Sequence, residues 1–155
     1  MRIIYYSYWG TYAAYLMASL HVGCYTREVL PSNELISKQF ELCHRYGNQF
    51  GNLIYVGVDE DLREVYSIGC KRHHGMITRA LDNINTIFGI NEPIYYVNAK
   101  KQEGFIPIYI EKNHYFFSNY NYMVRLFNIW FRKHYKSCLN IVEMEKHYLK
   151  DGYNQ

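Results

Sequence analysis

Two periodicities of apolar residues divide the chain into strands and helices. Continuous apolar or aromatic runs are typical of strands covered on both faces, whereas apolar residues every three or four positions are typical of amphipathic helices. The first pattern predicts strands over residues 3–8, 53–58, 64–69 and 93–99. The second pattern predicts helices over residues 11–21, 30–47 and 76–88.

Capping and turn residues mark several boundaries of these elements. Gly23, Gly47 and Gly89 each follow a helical stretch, where glycine is favoured. Ser32 is placed to cap the start of the second helix. We expect the third helix to bury one apolar face, which consists of Ile77, Ala80, Leu81, Ile84, Ile87 and Phe88.

A hairpin is predicted where two strand-like runs are separated by a short acidic turn. Residues 53–58 and 64–69 flank Asp59, Glu60 and Asp61, an arrangement that favours antiparallel pairing. We expect these carboxylates to solvate the turn rather than to catalyse a reaction. The other strands are separated by helices, which predicts parallel pairing.

The C-terminal region is compatible with two structures. Residues 121–150 form either one long helix or a strand over 124–130 followed by a helix from about residue 131. We favour the strand and helix, because Val124, Leu126, Asn128 and Trp130 would share one strand face. Residues 100–123 are aromatic but lack a clear period, and no element is predicted there.

Together these elements predict one α/β domain over residues 1–155. We expect three layers, with helices on both faces of a mostly parallel sheet of about five strands that includes one antiparallel hairpin.

Composition is that of an ordinary folded protein, with 49% hydrophobic and 20% charged residues. The aromatic content of 18% is high, and 18 residues are tyrosines. This reflects either an AT-rich genome or a surface lined by aromatic rings. The net charge is +3, and basic residues cluster only near 71–74 and 132–136, so nucleic-acid binding is not expected.

Cysteine spacing and hydropathy exclude several further classes. The four cysteines form no CxxC pair and no metal-binding pattern, so we expect no metal and no cofactor. No signal peptide and no apolar run of about 18 residues is present, so no membrane contact is expected. We therefore expect reduced, mostly buried thiols in a cytoplasmic protein.

The turn between the first strand and the first helix is a candidate anion site. Backbone N–H groups and the positive end of a helix dipole favour an anion at such a turn. Gly10 would permit close approach of a ligand to the backbone, and Thr11 would place its hydroxyl at the helix N-cap. The P-loop pattern GxxxxGKS/T is missing, and residues 2–22 contain no lysine, so P-loop ATP hydrolysis is not expected. The alternative is a plain turn packed by aromatic rings.

A second candidate site precedes the third helix, in the sequence GCKRHHG at residues 69–75. Basic residues beside the positive end of a helix repel one another unless an anion is bound, although a solvated hairpin exit is the alternative. Adjacent histidines point in different directions on an extended segment, so a metal site formed by two histidines is not expected.

Both turns belong at one edge of the sheet if their strands are parallel, because ligands of α/β sheets bind beyond the strand carboxyl ends. We expect the N–H groups of Gly10 to Tyr12 to point into a shared cleft, and aromatic side chains there to stack on a base. The Lys100–Lys101 pair and Lys133 adjoin two further strand ends. The predicted ligand-binding residues are Ser7, Tyr8, Trp9, Gly10, Thr11, Tyr12, Lys71, Arg72, His73, His74, Asn98 and Arg132.

The chain also resembles a family of unknown function, through SLHVG (19–23), VLPS (29–32), VGVDEDLREVYSIG (56–69) and RKHY (132–135). This family comprises small proteins of Gram-positive, mainly spore-forming bacteria, and its first turn reads Gly-Gly-x-His-Ser-Ser. The chain instead has Trp9-Gly10-Thr11-Tyr12-Ala13-Ala14. The resemblance implies that any chemistry performed by the histidine and serines of relatives is lost here.

Three functions remain open from the sequence. The first is binding of a small anionic ligand, phosphorylated or nucleotide-like, without turnover and with no catalytic residue, for sensing or sequestration. The second is a phosphoryl- or phosphoester-processing enzyme that uses His73, His74 or Cys70. The third is an interaction module in which the aromatic segment 105–122 docks a partner or a second copy, as in a homo-oligomer.

Overall fold

The computed structural model describes residues 1–47, 49–113 and 120–152. Its sheet has the strand order β2-β3-β1-β4, where β1 is Arg2–Ser7, β2 is Leu53–Val58, β3 is Glu64–Gly69 and β4 is Ile94–Asn98. Strand β1 pairs in parallel with both β3 and β4, and β2 pairs antiparallel with β3. The hairpin and the parallel pairing are therefore confirmed.

The five helices are α1 (Ala13–His21), α2 (Asn33–Tyr46), α3 (His74–Ile87), α4 (Ile106–Asn113) and α5 (Tyr120–Asp151), with a short 3-10 helix over Lys100–Gln102. Successive side chains of β1 point to opposite faces of the sheet, and the helices pack on both faces. Ile3 and Tyr5 belong to the large core with residues of α1, α2, α4 and α5. Ile4 packs on the opposite face with Ile77 and Leu81 of α3. The chain thus forms a mixed sheet between two helical layers.

Helix α5 corrects the predicted fifth strand over residues 124–130, so the described residues form four strands rather than five. Met123, Phe127 and Trp130 are all less than 5% exposed and follow a helical spacing. This spacing continues along the buried face through Phe131, Tyr135, Cys138, Val142 and Leu149. A helical period of 3.6 residues maintained over 32 residues outweighs the short strand-like alternation of residues 124–130. Of the four residues on the predicted strand face, only Trp130 is fully buried.

Helix α3 buries less of its apolar face than expected. Ile77 and Leu81 are partly buried against the sheet, but Ile84, Ile87 and Phe88 are 46%, 77% and 74% exposed. No residue of α3 is fully buried, and of the predicted face only Ile77 and Leu81 pack on the sheet.

The predicted residues mark the helix ends except at the start of α1. The Ser32 hydroxyl accepts a hydrogen bond from the Leu35 N–H, and Gly47 is the C-cap residue of α2. Gly23 and Gly89 follow α1 and α3 with φ values of +78° and +64°. Helix α1, however, has Tyr12 as its N-cap residue, with no side-chain cap. Thr11 therefore lies outside the capping position that the sequence predicted.

The acidic hairpin turn contains a buried carboxylate as well as solvated ones. Asp59 Oδ1 accepts hydrogen bonds from the N–H groups of Asp61 and Arg63, which shapes the turn. Asp59 Oδ2 lies 3.2 Å from Nε2 of the buried His21, whose Nδ1 lies 2.7 Å from the Tyr5 hydroxyl. Burial, assisted by the Lys146 charge, lowers the pKa of His21 to about 4. This chain of contacts ties the hairpin to α1 and β1.

Candidate anion-binding site

The two predicted turns lie side by side at the carboxyl edge of the sheet. The Cys70 N–H donates to the Ser7 carbonyl at 2.9 Å, and the Lys71 N–H donates to the Tyr8 carbonyl at 3.0 Å. These bonds continue the parallel β1–β3 ladder beyond both strands. The parallel pairing is therefore the physical reason why the turns meet.

A cleft of about 520 Å³ opens between these turns and the helix α4. Its size falls within the range of small-molecule sites, which is about 300–1,000 Å³. It is lined by Tyr8, Trp9, Lys71, Arg72, Lys100, Glu103, Gly104, Ile108 and Lys112.

Four cationic side chains converge on the cleft from three segments of the chain. Lys71 and Arg72 come from the β3–α3 turn, Lys100 from the 3-10 helix and Lys112 from α4. In the described part of the chain, none of the four forms an ion pair with a carboxylate. Unpaired cations around a concave surface create a positive potential that favours an anion.

Lys71 has a strained backbone. Its φ is +47°, in the left-handed region that costs a residue with a β-carbon about 1–2 kcal/mol. Its ammonium nitrogen lies 4.1 Å from the centroid of the Phe50 ring, a favourable cation–π geometry. Such a conformation persists only where the surrounding structure holds it.

Aromatic rings form one wall of the cleft. The rings of Tyr8 and Trp9 meet edge to face at 4.9 Å, and Phe50 packs on both. The indole nitrogen of Trp9 is buried and has no hydrogen-bond partner among the described residues. With Ile108 nearby, the cleft combines an apolar side with a cationic side.

Glu103 occupies the donors of the β1–α1 turn. Its carboxylate accepts hydrogen bonds from the Ser7 hydroxyl and from the N–H groups of Tyr8 (2.9 Å) and Trp9 (3.1 Å). Glu103 is only 5% exposed, and burial raises the pKa of its carboxyl although these hydrogen bonds oppose the shift. These donors of the turn are thus occupied by a carboxyl group of the chain itself.

The N–H of Gly10 does not serve a ligand in this structure, because it donates to the Ser7 hydroxyl oxygen at 3.0 Å. The expectation that it points into the cleft is therefore wrong. Gly10 has a φ of +82°, and a β-carbon there would lie 2.3 Å from the Gly69 nitrogen. Its close approach is to protein backbone rather than to a ligand.

Three more of the predicted residues are buried beneath the turn. Ser7, Thr11 and Tyr12 are each 0% exposed. Tyr12 donates its hydroxyl to Glu111 at 2.7 Å and packs its ring on Trp130. These side chains do not line the cleft, because the chain turns inward from Gly10 to start α1.

The remaining predicted residues lie around the cleft or away from it. His74 stacks on Tyr6, and its Nδ1 lies 2.8 Å from Lys100 Nζ, while Asn98 Oδ1 accepts the Lys100 N–H. His73 lines a neighbouring hollow of about 360 Å³. Arg132 is hydrogen-bonded to Asn128 and Asn33, away from the cleft, because no strand ends before it.

The structure also shows the surroundings of the residues named for the alternative functions, an enzyme and an interaction module. Cys70 is 2% exposed, and burial raises the pKa of its thiol to about 11, which disfavours a nucleophilic thiolate. The described residues contain no group of three or more histidine, cysteine or acidic side chains that could hold a metal. In the aromatic segment 105–122, Phe105 is 72% exposed and Ile110 is buried, whereas residues 114–119 lie outside the described residues.

Sequence reasoning missed the residues that complete the cleft on the α4 side, Glu103, Ile108 and Lys112. All three fall in the stretch to which no element was assigned. The spacing of Ile106 and Ile110 is a helical signal, and Ile108 and Lys112 repeat it on the side that lines the cleft. The contact between Glu103 and the distant turn leaves no local pattern.

The fold and site define an α/β protein with a cationic cleft at the carboxyl edge of a mixed sheet. Residues 2–147 match the family described as "Protein of unknown function (DUF3189)", and the chain belongs to this family. The comparisons with curated proteins and with solved structures gave no match. Across the described residues, none of the helices has both the length and the apolar character to cross a bilayer.

Proposed function

We propose that the protein binds a small anionic ligand, phosphorylated or nucleotide-like, in this cleft. The observation that carries the proposal is the convergence of Lys71, Arg72, Lys100 and Lys112 without a neutralising ion pair among the described residues. Four cations beside the single Glu103 carboxyl leave an excess of positive charge, which an anion bound between them would neutralise. Phosphate groups are strong partners for such lysine and arginine clusters.

The aromatic wall favours a ligand that also carries a planar group. Tyr8 and Trp9 present rings, and Ile108 adds apolar surface, on the same cleft as the cations. Bases stack well on aromatic side chains, with about 1–3 kcal/mol per base. A nucleoside phosphate would match both sides of the cleft.

Binding without turnover is favoured by the kinds of side chain present. Among the described residues, no serine, threonine, cysteine or histidine lines the cleft. Ser7 lies close by but is fully buried under Glu103. Position 12, where the resemblance implies a histidine in relatives, is a tyrosine that points into the core. Sensing or sequestration, in a cytoplasmic protein, fits these features better than catalysis.

A thermal-shift screen tests the proposal, with AMP, GMP, cyclic dinucleotides and inorganic pyrophosphate as probes. Adenosine and guanosine are the matched neutral controls. We expect at least one phosphorylated compound to raise the melting temperature more than its neutral counterpart, because ligands that bind only the folded state stabilise it. A screen in which no phosphorylated compound shifts the melting temperature would refute the proposal.

A further inference from the structure

The β1–α1 turn binds a carboxylate in the way that a protein binds a small oxyanion. Two backbone N–H groups and one hydroxyl donate to Glu103, whose side chain comes from a segment more than ninety residues away. Carboxylate and phosphoryl oxygens accept the same kind of charge-assisted hydrogen bond. The donors themselves therefore do not distinguish Glu103 from an oxyanion of a ligand.

Among the described residues, no cation of the cleft forms an ion pair with Glu103, although the Lys100 charge acts on its carboxyl from a longer distance. Neither Lys100 nor Lys112 lies within ion-pair distance of its carboxylate, although both line the same cleft. The backbone of Glu103 is anchored separately, because Trp130 Nε1 donates to its carbonyl oxygen at 2.6 Å. Rotation of the side chain alone would release the carboxylate from the turn, while the backbone stays fixed.

We propose that the β1–α1 turn is an oxyanion site closed in cis by Glu103, and that an oxyanion of the ligand competes with this carboxylate for the turn. The proposal rests on the proposed function for the presence of a ligand in the cleft. Glu103 then acts as a built-in competitor that sets how tightly an anion is held. Its removal exposes the N–H groups of Tyr8 and Trp9 and the Ser7 hydroxyl to an external oxyanion.

The test is chemical rescue of a Glu103→Ala variant by acetate, a free carboxylate, followed by thermal unfolding at constant ionic strength. We expect acetate to raise the melting temperature of the variant by about 3 °C relative to chloride, and to leave that of the wild type unchanged. We also expect roughly tenfold tighter sulfate binding by the variant than by the wild type.

Glu111→Ala is the matched control. Glu111 is partly buried and, like Glu103, has a carboxyl with a raised pKa, but it accepts its hydrogen bond from the Tyr12 hydroxyl. Its removal leaves one neutral hydroxyl rather than two N–H groups and a hydroxyl, so acetate should stabilise this variant less than Glu103→Ala. Equal effects of acetate on both variants would overturn the proposal.

If the Glu103→Ala variant does not fold, Glu103→Gln replaces it in the sulfate-binding measurement. Glutamine has one acceptor oxygen, so its amide group must face one of the N–H donors, and the turn opens more easily. Tighter sulfate binding by this variant supports the proposal, and unchanged or weaker binding contradicts it. Phosphate binding by the wild type without any gain in the Glu103 variants would refute this inference alone. Acetate rescue without any phosphorylated ligand for the wild type would refute the proposed function alone.

Discussion

Gly10 and Gly69 meet backbone to backbone where β1 and β3 end. A β-carbon on Gly10 would lie 2.3 Å from the Gly69 nitrogen, and one on Gly69 would lie 2.5 Å from the Trp9 carbonyl oxygen. Both glycines are therefore required by the packing of the two turns that form the cleft. Any substitution at either position separates these turns.

Gly10→Ala is expected to destabilise the protein by about 3 kcal/mol or more, since it combines a clash with a positive φ. Urea denaturation measures the change. Gly23→Ala is the control, because Gly23 has a similar φ of +78° but no neighbour within 4 Å, and should lose only about 1 kcal/mol. Equal losses in the two variants would show that the contact with Gly69 is unimportant.

Substitution of Lys71 by glycine should separate stability from binding. We expect Lys71→Gly to relieve the left-handed backbone and to stabilise the fold by about 0.5–1 kcal/mol, while it weakens anion binding through loss of a cation. Leu62→Gly is the control, since Leu62 has a φ of +59° in an exposed turn outside the cleft. It should gain stability without a change in affinity. Reduced stability in Lys71→Gly would mean that the contact with Phe50 outweighs the strain.

His21 should make the protein less stable in mild acid. Its pKa is about 4 in the folded state and about 6.5 when unfolded, so the unfolded state binds the extra proton between these values. Stability from this group is complete above pH 6.5 and falls by about 3 kcal/mol as the pH approaches 4.

The measurement is the free energy of unfolding of the wild type and of His21→Gln across this pH range. The raised pKa values of Glu103 and Glu111 favour the folded state on acidification, which is opposite to the effect of His21. This contribution is present in both proteins and cancels when their free energies of unfolding are subtracted. We expect the wild type to lose more stability than the variant on acidification. Parallel pH curves would contradict the buried, neutral state of His21.

Much of the fold was predictable because its signals are local. The hairpin strands at 53–58 and 64–69 matched their predicted bounds, since turn and strand patterns lie within one short stretch. One long helix over residues 121–150 was the less favoured of the two predicted alternatives, because Val124 to Trp130 alternates like a strand over a few residues. Only the longer period, set by burial against α1 and α2, decides between the two.

The site was predictable only in part. The carboxyl ends of parallel strands lie at the same edge of a sheet. From this rule the sequence predicted that Tyr8, Trp9, Lys71 and Arg72 lie close together, as they do in the cleft. The inward direction of Thr11 and Tyr12 depends on α1 beginning two residues later than predicted. The occupation of the turn by Glu103 is a contact between distant segments, which no local periodicity encodes.

The central claim is that the cations of the cleft bind an anion, and calorimetric titration with pyrophosphate tests it most directly. The proteins to compare are the wild type, Arg72→Ala, Lys100→Ala and Arg125→Ala, where Arg125 is an exposed arginine of α5 outside the cleft. We expect Arg72→Ala and Lys100→Ala each to weaken binding by about 1–3 kcal/mol, and Arg125→Ala to bind like the wild type. Equal affinities in all four proteins would contradict the account.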